Sequence, residues 1–280
     1  VKEAVNNLVV VSDLHVGCQM GLLDPLGGRM DGGGIYKPSP LQRKVWRWWR
    51  HFWDTFVPLA TKGEPYAVAV NGDIVDGVHH GSTTQWSHNL TDQGSVAKRI
   101  LTPIAKQCGG RFYVIRGTEA HVGKSAQEEE RLAQELGAIP NKRGQFARYE
   151  LWKLLGTPAN NRLVHLLHHL GTTGSQAYES VSPHKELVES ITEAGRWGRR
   201  FPDVVVRSHR HRYIETVIPT VNGRAFACVT PAWQLKTGYV FRVAGGRLSE
   251  PQVGGVVIRF HKDELFVRPW VQSLAREKAE

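Results

Sequence analysis

The chain has 280 residues, with 36 Lys and Arg against 26 Asp and Glu for a net charge of +10, 13 His and three Cys. At 41% apolar and 22% charged residues it has the makeup of a globular protein and not of a disordered or coiled-coil chain, and a chain of this size needs no disulfide or metal merely to build a core. Cys18, Cys108 and Cys228 lie far apart without CxxC spacing, against a disulfide framework or a thiolate zinc site. The aliphatic run at residues 8–11 falls far short of the ~18 residues of a membrane span or secretion signal, so no membrane partner and a cytoplasmic location are expected. The positive charge favours polyanionic partners such as nucleic acid or phosphate esters.

Residues 7–12 (NLVVVS) are a short β-branched apolar run, which predicts a strand buried on both faces. Residues 17–40 are rich in Gly and Pro without periodicity, which predicts a long loop, positioned to serve as a lid. Leu41, Val45, Trp48, Trp49, Phe52 and Phe56 then recur at spacings of three and four, the stripe of an amphipathic helix with Arg43, Lys44, Arg47 and Arg50 opposite. Trp46 and Trp53 fall to one side of that stripe, as candidates for packing against another element or for stacking on a base. Strands follow at 66–71 (YAVAVN) and 112–116 (FYVIR), with a helix near 95–106 between them and another at 127–136, stopped by Gly137. Residues 163–168 (LVHLLH) and 204–207 (VVVR) read as strands flanking a helix at 182–194 that opens on Ser182 and Pro183. From there the texture changes to successive antiparallel strands at 213–219, 224–230, 239–243, 253–260 and 265–270. Strand–helix alternation predicts an α/β fold, taken as a single domain over 1–280 with a mostly antiparallel strand region at 213–270.

The acids and histidines fall at strand ends. Asp13 and His15 follow the first strand; Gly72, Asp73 and Asp76 the second; Glu119 and His121 the third; His168 and His169 close the fourth; His209 and His211 follow the fifth. In an open α/β sheet the carboxyl ends of the strands share one edge, where ligands bind. Five segments thus converge oxygen and nitrogen donors suited to borderline or hard divalent ions. Six or seven donors exceed the three protein ligands of a catalytic zinc, and two ions bridged by a carboxylate fit better.

The segments Asp13-Leu14-His15, GDIVDG at 72–77, His169-Leu170-Gly171 and Ser208-His209-Arg210-His211, in this order, resemble the calcineurin-like metallophosphoesterases over roughly residues 8–215. Within that family, the tail SHRHR followed by VTPAWQLKTGY is most similar to phage- and prophage-borne members, for which the compartment would be the host cytoplasm. The resemblance implies a four-layer αββα sandwich of two mixed sheets flanked by helices. It also implies that Asp13, His15 and His211 hold one metal, that Asp73 bridges, and that His169 and His209 hold the second. Mn²⁺ leads the candidate ions, followed by Fe²⁺, Zn²⁺, Co²⁺ and Ni²⁺. The family's GNH segment is replaced here by Gly117-Thr118-Glu119-Ala120-His121, longer and without the Asn. Thr118 at the Asn position, Glu119 as the oxygen donor and His121 as a ligand are all open; His121 is favoured as acid/base and Glu119 as donor.

Only one of His168 and His169 can face the metals on an alternating strand; the H-x-G pattern favours His169, with His168 the alternative. Asp76 is read as capping a helix or orienting a ligand histidine. Arg116 and Arg210 are candidates to bind phosphate oxygens, while for Arg207 and Arg212 solvent exposure is an equal expectation. His79, His80, Trp86 and His88 are candidates to line the cleft. The expected activity is phosphodiester hydrolysis, with DNA or RNA as candidate substrates, by attack of a metal-bridging hydroxide. A phosphomonoesterase or phosphoprotein phosphatase stands as the alternative, and a nucleic-acid-binding module with decayed catalysis as the alternative of another class.

Overall fold

The computed structural model describes residues 4–79, 81–171, 175–242 and 249–275. Strands buried on both faces build two stacked sheets. In one, β1 (Asn7–Val11) is central and lies parallel to β4 (Tyr66–Asn71), which continues in parallel to β5 (Phe112–Ile115) and β6 (Ala147–Arg148). On its other side β1 pairs antiparallel with β12 (Val253–His261), and β12 with β13 (Glu264–Gln272). The second sheet runs β10 (Ile214–Thr220), β11 (Gly223–Val229), β9 (Val204–Arg207), β8 (Asn161–Leu167), β7 (Glu150–Gly156), with β8, β9 and β11 mutually parallel. A short hairpin of β2 (Gly28–Arg29) and β3 (Ile35–Tyr36) lies apart from both.

Each strand of the first sheet divides its side chains between two cores. Leu8 and Val10 of β1, Ala67 and Ala69 of β4 and Val256 and Ile258 of β12 meet Leu151, Val164, Leu166, Val204 and Val206 between the sheets. Val9, Val11, Val68, Val70 and Val257 face outward under the helices. At ~1.5–3 kcal/mol for each large apolar side chain removed from water, this double burial holds the central strands in the interior. The outer helical layer contains α1 (Pro40–His51), α2 (Val57–Thr61), α3 (Leu90–Gln107), the single turn α4 (Glu119–Val122) and α5 (Gln127–Glu135). On the far side α6 (Val181–Arg196) seats Leu187 on Val205, Ala225 and Ala227. The order is helix, sheet, sheet, helix, the expected four layers.

Several elements differ from expectation. α3 starts five residues early because Asn89 caps it, its side chain accepting the Thr91 N–H. After α1, which Ser39 and Gln42 open with a capping box, residues 52–56 form a π-helical segment. The extra residue per turn rotates the face that follows, so Trp53 is buried with Phe52 and Trp49 and is not available to a base. β7 was not foreseen: it pairs antiparallel with β8. The C-terminal strands divide, β10 and β11 joining one sheet and β12 and β13 the other, and β11 runs parallel to β9. Residues 239–242 form turns, with Arg242 N–H on the Tyr239 carbonyl, in place of the expected strand, whose residue 243 lies outside the described residues. The 17–40 loop is tied down: Arg99 of α3 grips the Asp24 carboxylate and the Gly27 carbonyl, and Tyr36 stacks on Trp86 at 5.6 Å. The three cysteines are free and buried. No helix among the described residues is long and apolar enough to cross a membrane.

Candidate metal centre

β1, β4 and β5 of one sheet and β8 and β9 of the other end at a common edge. Beyond its last residue, β1 stays zipped to β4 through Asp13 N–H on Gly72 O (2.9 Å) and His15 N–H on Asp73 O (3.1 Å). Asn71 ties the two sheets, its amide donating to the Ser208 hydroxyl (2.7 Å) and the Leu167 carbonyl (3.2 Å). The Thr230 hydroxyl joins this seam, 2.6 Å from Ser12 Oγ and 2.7 Å from Ser208 Oγ. On this frame Asp13, His15, Asp73, His209 and His211 all adopt left-handed backbone, with φ between 44° and 71°. For residues with a Cβ that conformation costs about 1–3 kcal/mol each, and it concentrates at functional sites.

Three groups of donors result, each with its ligand atoms within 4.8 Å of one another: one is His15, Asp76 and His121, and the other two share a residue, Asp13 with Asp73, His168 and His209 and Asp13 with His15 and His211. Asp13, fully buried, belongs to both, with its Oδ1 3.2 Å from His211 Nε2, 3.9 Å from His168 Nε2 and 4.0 Å from His15 Nε2. Among the described residues that same oxygen has no well-formed hydrogen-bond partner. The far nitrogens of the two buried histidines are engaged: His15 Nδ1 lies 3.0 Å from Asp76 Oδ1, and His168 Nδ1 lies 2.6 Å from the Asn71 carbonyl. Donating there, each ring directs Nε2 into the cluster, where loss of its proton leaves a lone pair for a cation, the arrangement by which outer carboxylates and carbonyls orient metal-binding imidazoles. His15 Nε2 and His211 Nε2 face each other at 3.2 Å. Buried carboxylate oxygen and imidazole lone pairs pointing at one another fit divalent cations.

The electrostatics agree. Burial alone would raise the Asp13 and Asp73 carboxyls, but His211 and His168 around Asp13, and His168 and His209 around Asp73, outweigh it and hold both low. Burial would lower His168, yet Asp73 and Asp13 push it up to about 10, and His15 is raised by Asp76 in the same way against its own burial. Protons thus supply the positive charge this centre demands, and a cation binding here displaces them.

Asp73 Oδ2 lies 3.1 Å from His168 Nε2. His168, and not the favoured His169, enters the cluster. Val164 and Leu166 point into the core between the sheets, so alternation carries His168 to the same side, while His169 is exposed with its ring 5.3 Å from that of His209. Thr118 also replaces an expectation: its N–H donates to Asp73 Oδ1 (2.6 Å) and its hydroxyl lies 3.2 Å from Asp73 Oδ2 and 3.1 Å from His209 Nδ1. Glu119, the favoured oxygen donor, is the exposed first residue of α4, turned away by the helix that starts there.

His121 sits beside the cluster, its Nδ1 2.7 Å from the Asp76 carbonyl and its ring 4.5 Å from that of His15 and 4.3 Å from that of His79. Burial, followed by the charge on His15, lowers it to about 4, so it is neutral at pH 7 and presents Nε2 as a proton acceptor. Asp76 receives His15 on one oxygen and the Gln85 amide on the other (2.6 Å); burial would raise it, and His15 and His79 hold it well below the carboxylate range.

The arginines are committed elsewhere. Arg116 donates to the Ala147 carbonyl and lies 4.4 Å over the Tyr149 ring; Arg210 donates to the Glu179 and Gly171 carbonyls and to Ser182. Arg207 pairs with Glu186 at 2.5 Å and Arg212 with Glu179 at 2.8 Å. All four thus have partners within the chain, Arg116 through its Nε and Arg210 through its two terminal nitrogens. Of the cleft residues, His79 is at the site, Trp86 is buried under the 17–40 loop, and His80 lies outside the described residues. Gln85, Gln234 (3.4 Å from Asp76), Asn71 and Glu129 were not foreseen. Glu129 is fully buried beneath the centre, and burial followed by the Asp73 charge pushes it up to about 7.

No family model and no curated protein matches this sequence. Similar solved structures include Vps29 from Cryptosporidium parvum, 11% identical over 97% of this chain and 100% of that one, with a TM-score of 0.36. A double mutant of Vps29 from Entamoeba histolytica is 11% identical over 96% and 99%, with a TM-score of 0.39. The solution structure of Thermotoga maritima protein TM1076 is 13% identical over 96% and 100%, with a TM-score of 0.33. Likeness at this level leaves the chemistry of the centre to be read from its own residues.

Proposed function

We propose that this chain is a two-metal phosphoesterase. The observation that carries the reading is the position of Asp13, a buried carboxylate shared by two groups of converging donors, one with His15 and His211 and one with Asp73, His168 and His209. Those residues would hold the ions, with Thr118 contributing its hydroxyl beside Asp73 and His209. Two divalent ions supply water activation near neutral pH and charge neutralisation on a phosphoryl group. Asp76 fixes the tautomer and direction of His15. His121, neutral and edge-on to His15 with ring centroids 4.5 Å apart, would receive or return a proton at Nε2 at the leaving oxygen or through a water.

Phosphodiesters, nucleic acid among them, are the substrate class we favour, on the strength of the +10 charge. The test is turnover of a chromogenic phosphodiester beside its monoester in Mn²⁺, with Asp73→Asn as control. Metal-dependent diester cleavage lost in the variant is expected. Cleavage of the monoester alone would overturn the substrate class, and metal-independent turnover that survives in Asp73→Asn would overturn the two-metal reading.

A further inference from the structure

Three consecutive glutamates open α5, and the structure gives them three different tasks. Glu128 pairs with Arg131 at the surface (2.9 Å). Glu130 accepts the Phe146 and Ala147 N–H groups, both at 2.8 Å, and so anchors β6. Glu129 is fully buried and reaches the centre: Oε1 accepts the Ile74 N–H (3.1 Å) and Oε2 the Gly117 N–H (2.7 Å).

Those two amides lie in the turns that carry Asp73 and Thr118. The ladder between β4 and β5 ends at Asn71 opposite Ile115, and past it the chains continue as two glycine turns pressed together. A Cβ on Gly117 would stand 2.1 Å from Asp73 Oδ1, and one on Gly72 2.8 Å from the Gly117 Cα. No strand rung can form there, since Asp73 is left-handed at φ 53°. The Glu129 carboxylate spans both turns where the next rung would be.

We propose that Glu129 is a positioning residue of the metal centre, clamping the Asp73 and Thr118 turns together so that their oxygens meet the ion shared with His168 and His209. This rests on the two-metal reading. Both carboxylate oxygens face N–H donors, so Glu129→Gln sets its NH₂ group against one of them. The turns then part on the Asp73–Thr118 side, while Asp13, His15 and His211, held by β1, Asp76 and the Ser208 seam, stay in place. Changes of this kind one step outside a metal site weaken affinity by about 10–100-fold.

The experiment is calorimetric titration of the metal-stripped chain with Mn²⁺ alone, on wild type, Glu129→Gln and Glu130→Gln, with folding checked by circular dichroism. Glu130→Gln makes the same chemical change at a clamp away from the centre, so it reports what mere loss of a structural clamp does. Two ions bound by wild type and by Glu130→Gln, with one bound normally and the other at least tenfold more weakly by Glu129→Gln, is the expected result. Wild-type affinity for both ions in folded Glu129→Gln, or equal weakening in Glu130→Gln, would overturn the proposal. A wild type that binds no divalent ion would overturn the two-metal reading together with it. If Glu129→Gln does not fold, Glu129→Asp carries the test: it keeps the charge but is too short to span both amides. The same selective loss is then expected, and its absence overturns the proposal.

Discussion

His168 and His169 offer the sharpest test of the site, because the two are adjacent and chemically identical. His168→Ala removes a ring whose Nδ1 meets the Asn71 carbonyl at 2.6 Å and whose Nε2 meets Asp73 at 3.1 Å, all within a fully buried cluster. The neutral hydrogen bond is worth about 1 kcal/mol, and stripping one partner from a buried ion pair costs about 3–5 kcal/mol. The larger figure already includes the charge left behind on Asp73, so about 3–5 kcal/mol is the expected total for the metal-free protein. At roughly 2–4 °C per kcal/mol for chains near this size, the melting midpoint in chelator should fall by about 6–20 °C. His169→Ala, at an exposed position, should stay within about 0.5 kcal/mol of wild type. Differential scanning calorimetry in chelator and again in Mn²⁺, followed by turnover, separates the two: only His168→Ala should also lose the gain in midpoint that Mn²⁺ gives. Equal effects, or a larger one at His169, would refute the placement of β8 relative to the centre.

Further outcomes follow from the same geometry. In chelator, the stabilisation from His168, raised to about 10, is complete below its ordinary value of 6.5 and lost as pH climbs through about 10. That from Asp13 and Asp73, held low, is present above the ordinary 3.8 and lost as pH falls below it. A series of melting midpoints should therefore decline from neutral pH toward 10 without metal, and a rise over that range would contradict the assignment. Asp76→Asn removes the charge that orients His15 and should weaken Mn²⁺ binding about 10–100-fold with the fold intact, as read by titration and circular dichroism. Gly117→Ala places a Cβ 2.1 Å from Asp73 Oδ1, so turnover should be abolished; a variant with wild-type activity would show that the turn can yield. At His211, with φ 54°, Gly should be more stable than Ala by about 1 kcal/mol in chelator, reversing their usual order in regular structure.

The two-sheet plan and the edge where the donors gather were legible in the residues, since each donor follows a β-branched run with no room for a different element. What misled was local. In LVHLLHHL both faces of β8 are apolar, one against the other sheet and one toward α6, so hydrophobicity does not label them. His165, stacked on Trp152 at 4.0 Å and facing the exposed Glu150, was the available clue, because it marks 165, 167 and 169 as the outer face. The contacts of Arg116 and Arg210 were hidden because nothing in their neighbours along the chain announces the carbonyls of residues 147, 171 and 179 that they reach. Glu129 was hidden for a different reason. An acidic first turn suits a helix dipole with its side chains in water, and only the three-dimensional approach of two glycine turns shows that the middle glutamate points inward.

The backbone at the centre argues for cation binding independently of the ligand types. Five donors are held in left-handed conformations that glycine would adopt without strain. At about 1–3 kcal/mol each, their combined cost is comparable to the whole stability of a typical domain, roughly 5–15 kcal/mol. A sequence shaped by stability alone would place glycine there, as it does at Gly72 and Gly77 in the same turn. It places carboxylates and imidazoles instead, buries them with like charges adjacent, and braces them with the Ser12–Thr230–Ser208–Asn71 seam, the Asp76 contact on His15 and the Glu129 clamp. Strain of that size at one sheet edge, opposed by that much bracing, is accounted for by what the strained side chains hold in common, a place for positive charge.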